Sequence, residues 1–351
     1  MGGYQLEEEQ SNRVRIIDIA EELGVSTTTV SNVINGKTKK ISDKTVEKVQ
    51  KKLEEKNYIP NMAAVLLAQN SSKIICVIIS DHDKYEGKVI QDPFVSSLLD
   101  KLEMEIEKNN YFMMVKKTSN INEVVKYASM WNMAGLVLIG FCDQDYDKLR
   151  KCIRIPFVVM DGFFEPKEKC ANIGIDDFMG GYIMGKYFIS QGHSRVMYVS
   201  DNDMCMDHNR YMGLKEAFKD SKIDLDNVKL EIIPMKRNER FLYYKTIEKK
   251  IRDVTAIFCA SDAYAIEIMN YLTDNGYSIP DDVSIAGFDD IPASTIVRPA
   301  LTTIRQDIGI RAEYAMRLLN ELVRGCVEEN NVILPVELVE RDSVKLLKDV
   351  N

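Results

Sequence analysis

The chain has 351 residues, a net charge of −8, and 45% hydrophobic against 28% charged residues. That length exceeds one ordinary core and implies two or three domains, and the composition is that of a globular protein. No apolar run approaches the roughly 20 residues that span a membrane, and the acidic opening MGGYQLEEEQSNR has no signal-peptide core, so neither a membrane nor a secreted protein is expected.

The charge is not evenly spread. Residues 11–70 hold ten Lys/Arg against seven Asp/Glu, and the residues after them are acidic. A small basic module on a large acidic body suits an anionic partner for the module alone. Residues 16–57 read as three short helices: IIDIAEELG, then VSTTTVSN, then SDKTVEKVQKKLEEKNY. In the third, Val46, Val49 and Leu53 recur at helical spacing, and Ser42 with Thr45 offers an N-cap. Between the second and third, NGKTKK is a turn with mobile lysines. IPNMAAVLLAQNSS is a brief helical piece running into a polar linker.

From Lys73 the pattern changes. Apolar runs of strand length (IICVIIS, YFMMVK, GLVLIG, PFVVMD, VMYVS, TAIFCA, VSIAGF) alternate with amphipathic helices near 93–109, 121–132, 177–191, 209–219, 239–252, 262–275 and 307–324. Strands buried on both faces and alternating with helices predict an α/β doubly wound parallel sheet, split into two subdomains near Asp161–Gly162. A ligand then sits beyond the carboxyl ends of the strands. The seven cysteines lie scattered at 76, 142, 152, 170, 205, 259 and 326 with no C-x-x-C pair. That argues against a zinc site or a disulfide framework and for a reducing cytoplasm. There is no G-x-S-x-G, no P-loop lysine motif and no G-x-G-x-x-G after a strand. His82, His193 and His208 stand apart, so neither an enzyme nor a metal or other cofactor is expected.

Read as two helices joined by a tight turn, IIDIAEELGVSTTTVSNVI is a helix-turn-helix, whose second helix enters the DNA major groove. Ala20 sits at the helix crossing and Gly24 in the turn, where φ > 0 is cheap. Ile19, Leu23, Val25, Val30 and Val33 form the buried face, and Ser26 caps the second helix. The hydroxyls of Thr27, Thr28, Thr29 and Ser31 are then short donors for phosphates or base edges. Thr27, Thr28 and Asn32 point outward for base contact, and Lys37, Lys39 and Lys40 are placed for phosphates, so affinity should fall steeply with salt.

With DIAEELGVSTTTVSNVING, YIPN, SDAYAIEIMNYL, IPDDVSIAGFDD and LTTIRQD in this order, the chain from about Val14 to Arg341 resembles the LacI-type bacterial transcriptional regulators. The resemblance implies a helix-turn-helix headpiece over 14–59 and a hinge helix and linker over 60–72. A periplasmic-binding-protein-like (type I) effector domain would follow, with an N-subdomain of 73–161 plus about 290–325 and a C-subdomain of 162–289 plus about 326–343. It adds Asn35, Ser42 and Asn61 to the DNA-binding residues. It places Ala64 where two hinge helices pack and Leu67 where a leucine wedges into the minor groove of an operator bound by a homodimer. No heptad zipper follows Arg341, so a dimer rather than a tetramer is expected. In the cleft it implies Asp92 and Phe94 of DPF, Arg210 of an Arg-x-x-Gly, Ser261 and Asp262, and Asp289 of GFDD. An arginine and an aspartate facing one cleft suit a sugar or nucleoside effector. Each aspartate is also a candidate helix cap.

The departures matter. Asn32 stands where an arginine is frequent, and an asparagine reads adenine best. Arg15, Ile17 and Leu23 differ from the usual residues, NGKTKKIS is about one residue long, and SDHDKYEGKVIQDPF is an extended link with extra charge at the cleft mouth or dimer face. Ser261 replaces a usual asparagine. Two other readings use the same body: a regulator driven mainly by a partner protein, and a solute-binding protein with no regulatory role.

Overall fold

The hydroxyl-rich stretch is a helix. In the computed structural model, which describes residues 14–59, 72–141, 143–162 and 170–347, α1 (Ile16–Leu23), α2 (Thr27–Ile34) and α3 (Asp43–Glu55) form the headpiece. Gly24 ends α1 at φ +63, and the Gly24 and Val25 N–H groups return to the Glu21 and Ala20 carbonyls. Ser26 then opens α2 by accepting from the Thr29 N–H at 3.0 Å, and Ser42 opens α3 from Thr45 at 3.3 Å. Two 8-residue helices of low propensity are not stable alone. Burial of Ile19, Ala20, Val30, Val33 and Val49 holds them, with Leu23 and Val25 half-buried at the edge.

The headpiece falls in one compact unit (1–70) and the rest in a second (71–351). The second unit holds two six-stranded sheets. The first has the order β11-β5-β4-β3-β1-β2 and is parallel throughout. Its strands are β1 (Ile74–Ile79), β2 (Phe112–Lys117), β3 (Gly135–Ile139), β4 (Phe157–Met160), β5 (Cys170–Ile175) and β11 (Asn331–Leu334). The second has the order β12-β10-β9-β8-β6-β7, with only β12 antiparallel. It contains β6 (Val196–Ser200), β7 (Val228–Ile232), β8 (Ala256–Cys259), β9 (Ser284–Asp289), β10 (Thr302–Arg305) and β12 (Glu337–Val339). The helices are α4 (Pro93–Lys108), α5 (Ile121–Met130), α6 (Asp143–Cys152), α7 (Asp177–Ser190), α8 (Cys205–Asp220), α9 (Arg237–Lys250), α10 (Asp262–Asp274), α11 (Ala293–Ile296) and α12 (Ile308–Arg324). Among the described residues no helix is long and apolar enough to cross a membrane.

The sheet memberships move the expected break. Strand β5 pairs with β4, Met160 opposite Ile173, so the chain leaves the first sheet after Ile175 and not at Asp161–Gly162. Asn172 and Gly174 hide this strand in the sequence. Asn172 is buried because its amide accepts from the Gly162 N–H at 2.9 Å and donates to the Asn331 side chain at 2.9 Å. The later assignments shift too. Strand β10 lies in the second sheet, so the segment leading into it belongs there and not with the first half as expected for 290–325. Helix α12 returns to pack on β3, β4 and β5, and β11 stays in the first sheet although 326–343 was expected in the second half. The chain therefore crosses between the sheets three times.

Helices α7 and α8 pack backbone to backbone. A Cβ on Gly181 would lie 1.9 Å from the Arg210 carbonyl oxygen, and one on Gly213 would lie 1.9 Å from that of Phe178. These glycines bring the start of α8, and Arg210 with it, against the start of α7.

Candidate nucleic-acid interface and ligand cleft

The outward face of α2 is what the sequence implies. Thr27 and Thr28 are exposed, and Asn32 is half-buried. Several other expected contacts hold helix ends. Ser26 and Thr29 share a 2.8 Å hydroxyl hydrogen bond at the α2 cap, as do Ser42 and Thr45 at α3. The Asn35 amide donates to the Ser31 carbonyl at 2.7 Å and closes the end of α2. Lys37, Lys39 and Lys40 are exposed beyond it, whereas Lys52 and Lys56 face Glu22 of α1 at 3.6 and 2.5 Å. The loop after α2 thus carries three exposed lysines. Asn61, Ala64 and Leu67 lie outside the described residues.

In the second unit, charged side chains collect at the carboxyl ends of both sheets, where doubly wound folds bind ligands. Arg210 is 5% exposed. Its Nε donates to Asp177 at 2.8 Å and one terminal nitrogen donates to the Ala260 carbonyl at 2.6 Å. Its guanidinium lies 3.6 Å from the Phe288 ring centroid. Burial pushes Asp177 up to about 6 while Arg210 pulls it back. Asp289 follows Phe288 at φ +115, a conformation rare outside glycine and typical of strained functional positions. Burial drives its carboxyl well above the usual range, with Arg210 opposing. A cavity of about 280 Å³ is lined by Asp161, Gly162, Gly174, Asp177 and Asn209.

Other implied cleft residues also hold local structure. Asp92 caps α4 by accepting from the Phe94 and Val95 N–H groups, both at 3.0 Å. Ser261 caps α10 through the Tyr264 N–H at 3.4 Å. Asp262 is a correction. It is fully buried, and its carboxylate accepts from the Ile291 N–H at 2.9 Å and from the Ser294 and Thr303 hydroxyls, each at 2.6 Å. It does not cap α10, whose N-cap is Ser261; it ties α10 to the loop after β9 and to β10.

The sequence reading missed Asp161, Asp177, Gln306 and Arg311. Arg311, 1% exposed, donates from one terminal nitrogen to both Asp161 oxygens at 2.6 Å and from the other to the Gln306 side-chain oxygen. Gln306 in turn donates to Asp289 at 2.6 Å, and Phe94 lies 5.8 Å from the Arg311 guanidinium. The extended link after β1 also has a fixed course. His82 Nε2 meets the Gly140 carbonyl at 2.6 Å, and Val89 is fully buried. Lys84 lies over the Tyr85 ring at 5.1 Å. Burial works against its charge, but Tyr85, Tyr264, Asp201 and Asp207 outweigh it and hold the ammonium above the usual lysine range. His193 ties distant segments together: Thr255 and the Lys345 carbonyl hold its two ring nitrogens at 2.9 and 3.0 Å, and burial lowers it to about 4.

Residues 15–61 match the family model for bacterial regulatory proteins of the lacI family, and residues 186–344 match that for a periplasmic binding protein-like domain. The HTH-type transcriptional regulator MalR of Clostridium butyricum is 30% identical over 344 residues, covering 94% of this chain and 99% of that protein. The chain belongs to the lacI family of bacterial transcriptional regulators. A further relative, the HTH-type transcriptional repressor PurR of Vibrio atlanticus (strain LGP32), is 30% identical over 345 residues, covering 95% of this chain and 99% of that one. The fold matches that of the lac repressor dimer bound to operator and the anti-inducer ONPF, with TM-score 0.80 and 24% identity over 95% of this chain and 100% of that one. The transcriptional regulator CelR in complex with cellobiose aligns with TM-score 0.68 and 21% identity over 94% of this chain and 100% of that one. As a lacI-family regulator, the chain joins a DNA-reading headpiece to a ligand-binding body.

Proposed function

We propose that this lacI-family regulator binds a near-palindromic operator as a homodimer and acts as a repressor whose operator affinity is set by a sugar or nucleoside in the cleft. What carries the reading is the pairing of an exposed Thr27–Thr28 face on a packed helix-turn-helix with a buried Arg210 beside Asp289. Closure of the two halves around the effector would bias hinge order, and with it the fit to two operator half-sites. The chain acts by binding and not by catalysis, in the cytoplasm.

Two experiments test this. Selection from random DNA with the purified protein should return a two-fold symmetric site. Asn32→Arg should change the preferred base under that side chain, since an asparagine pairs with adenine and an arginine with guanine, each good pair discriminating by about 1–3 kcal/mol. An unchanged consensus would refute the role of Asn32. For the effector, a thermal-shift panel of ribose, neutral hexoses, cellobiose and purine nucleosides should contain a compound whose shift disappears in Arg210→Ala. A regulator whose operator binding is intact and which no compound shifts would favour control by a partner protein.

A further inference from the structure

We propose that Arg311 clamps the two halves of the cleft together and offers its Nε–H to an oxygen of the effector. The inference rests on the effector-cleft reading and deepens it. Asp161 directly follows β4 of the first sheet, and Arg311 stands on α12, packed against that sheet. Asp289 ends β9 of the second sheet and Gln306 directly follows its β10. The chain of contacts Asp161–Arg311–Gln306–Asp289 therefore runs from one half to the other.

Its polarity is fixed. Arginine has only donors, so it must take the oxygen of the Gln306 amide, and the amide nitrogen must face Asp289. Arg311 thus sets which edge Asp289 has left for a ligand. The guanidinium is nearly inaccessible to water, yet its Nε has no acceptor among the described residues. A buried donor on a cation without a partner is expensive, and an acceptor oxygen supplied there regains a charge-assisted hydrogen bond. A bound ligand then completes the clamp instead of breaking it, so contact and closure are one event.

Calorimetric titration of the full-length protein with the panel compounds tests this. Arg311→Leu and Gln306→Leu should each weaken binding by about tenfold or more, the usual worth of a hydrogen bond to a charged group. The double variant should bind no more weakly than Arg311→Leu alone, because the two residues act as one unit. Residues with merely structural roles would give losses that multiply, and that outcome, or wild-type affinity in Arg311→Leu, overturns the proposal. Should Arg311→Leu fail to fold, wild-type affinity in Gln306→Leu overturns it equally. Compounds that need Arg210 but not Arg311 leave the effector reading standing and this inference refuted. Compounds that bind without Arg210, or a panel with no binder, refute both.

Discussion

Gly213→Ala should destabilise the effector unit by more than about 3 kcal/mol, a loss at the top of the range for overpacked sites. The added methyl would sit 1.9 Å from the Phe178 carbonyl oxygen and 2.8 Å from the Tyr182 nitrogen. Both are backbone atoms of α7, so no rotamer change relieves the clash and the two helices must separate. Separation removes Arg210 from Asp177, leaving a buried ion pair broken. Gly309→Ala is the contrast. It lies in the first turn of α12, and a methyl there would meet only the Asp307 carboxylate oxygen, at 3.2 Å. It should stay within about 1 kcal/mol of wild type, the usual span for glycine against alanine in a helix. Urea unfolding of the three proteins decides it. Equal midpoints for Gly213→Ala and wild type would show that α7 and α8 do not pack through these glycines.

The helix-turn-helix was legible because its determinants are local. Ala20, Gly24, Val25 and Ser26 fix a crossing, a turn and a cap within seven residues, and packing then overrides the poor propensity of the threonines. Strands with unbroken apolar runs were legible for the same reason. Those that escaped notice are β5, β7, β10, β11 and β12; β5, β7 and β10 carry polar residues whose burial depends on distant partners, and β11 and β12 are short with exposed polar residues. Thr302 is fully buried because its hydroxyl accepts from the Arg341 N–H at 2.9 Å, and Thr303 because it donates to Asp262. Arg210 could be placed by likeness to the family. Its partner Asp177 lies 33 residues away, and Asp161 lies 150 residues from Arg311. Nothing in local spacing announces such pairs. The close glycines of α7 did leave a trace, the repeat GGYIMG, which marks a helix face able to approach another backbone.

Asp262→Asn should be less stable than wild type at pH 4, and the deficit should shrink as pH rises toward 7. The carboxyl accepts three hydrogen bonds in a fully buried site that Gly287 keeps open, since a Cβ there would lie 2.2 Å from Asp262 Oδ1. Burial pushes it up to about 7, with Ser294, Thr303 and the Ile291 N–H pulling the other way. An unfolded aspartate titrates near 3.9. Between about pH 4 and 7 the native chain therefore holds a proton that the unfolded chain has lost, and wild-type stability falls as pH rises through that window. At about 1.4 kcal/mol per unit the full fall from this group is of order 4 kcal/mol. The protonated acid places its O–H on a hydroxyl that rotates to accept it. Asparagine has no titration, but its amide nitrogen faces the Ile291 N–H or a hydroxyl that wants an acceptor, a loss of about 1–3 kcal/mol. Asp177 is raised in both proteins and cancels in the difference, whereas Asp289 is raised partly by the Asp262 charge and is relieved of that part in Asp262→Asn. Urea midpoints measured for both proteins from pH 4 to 8 read this directly. A gap that widens with pH is the signature of an ordinary paired carboxylate, and it would overturn the assignment of Asp262 as a neutral, buried tie between α10, the loop after β9, and β10.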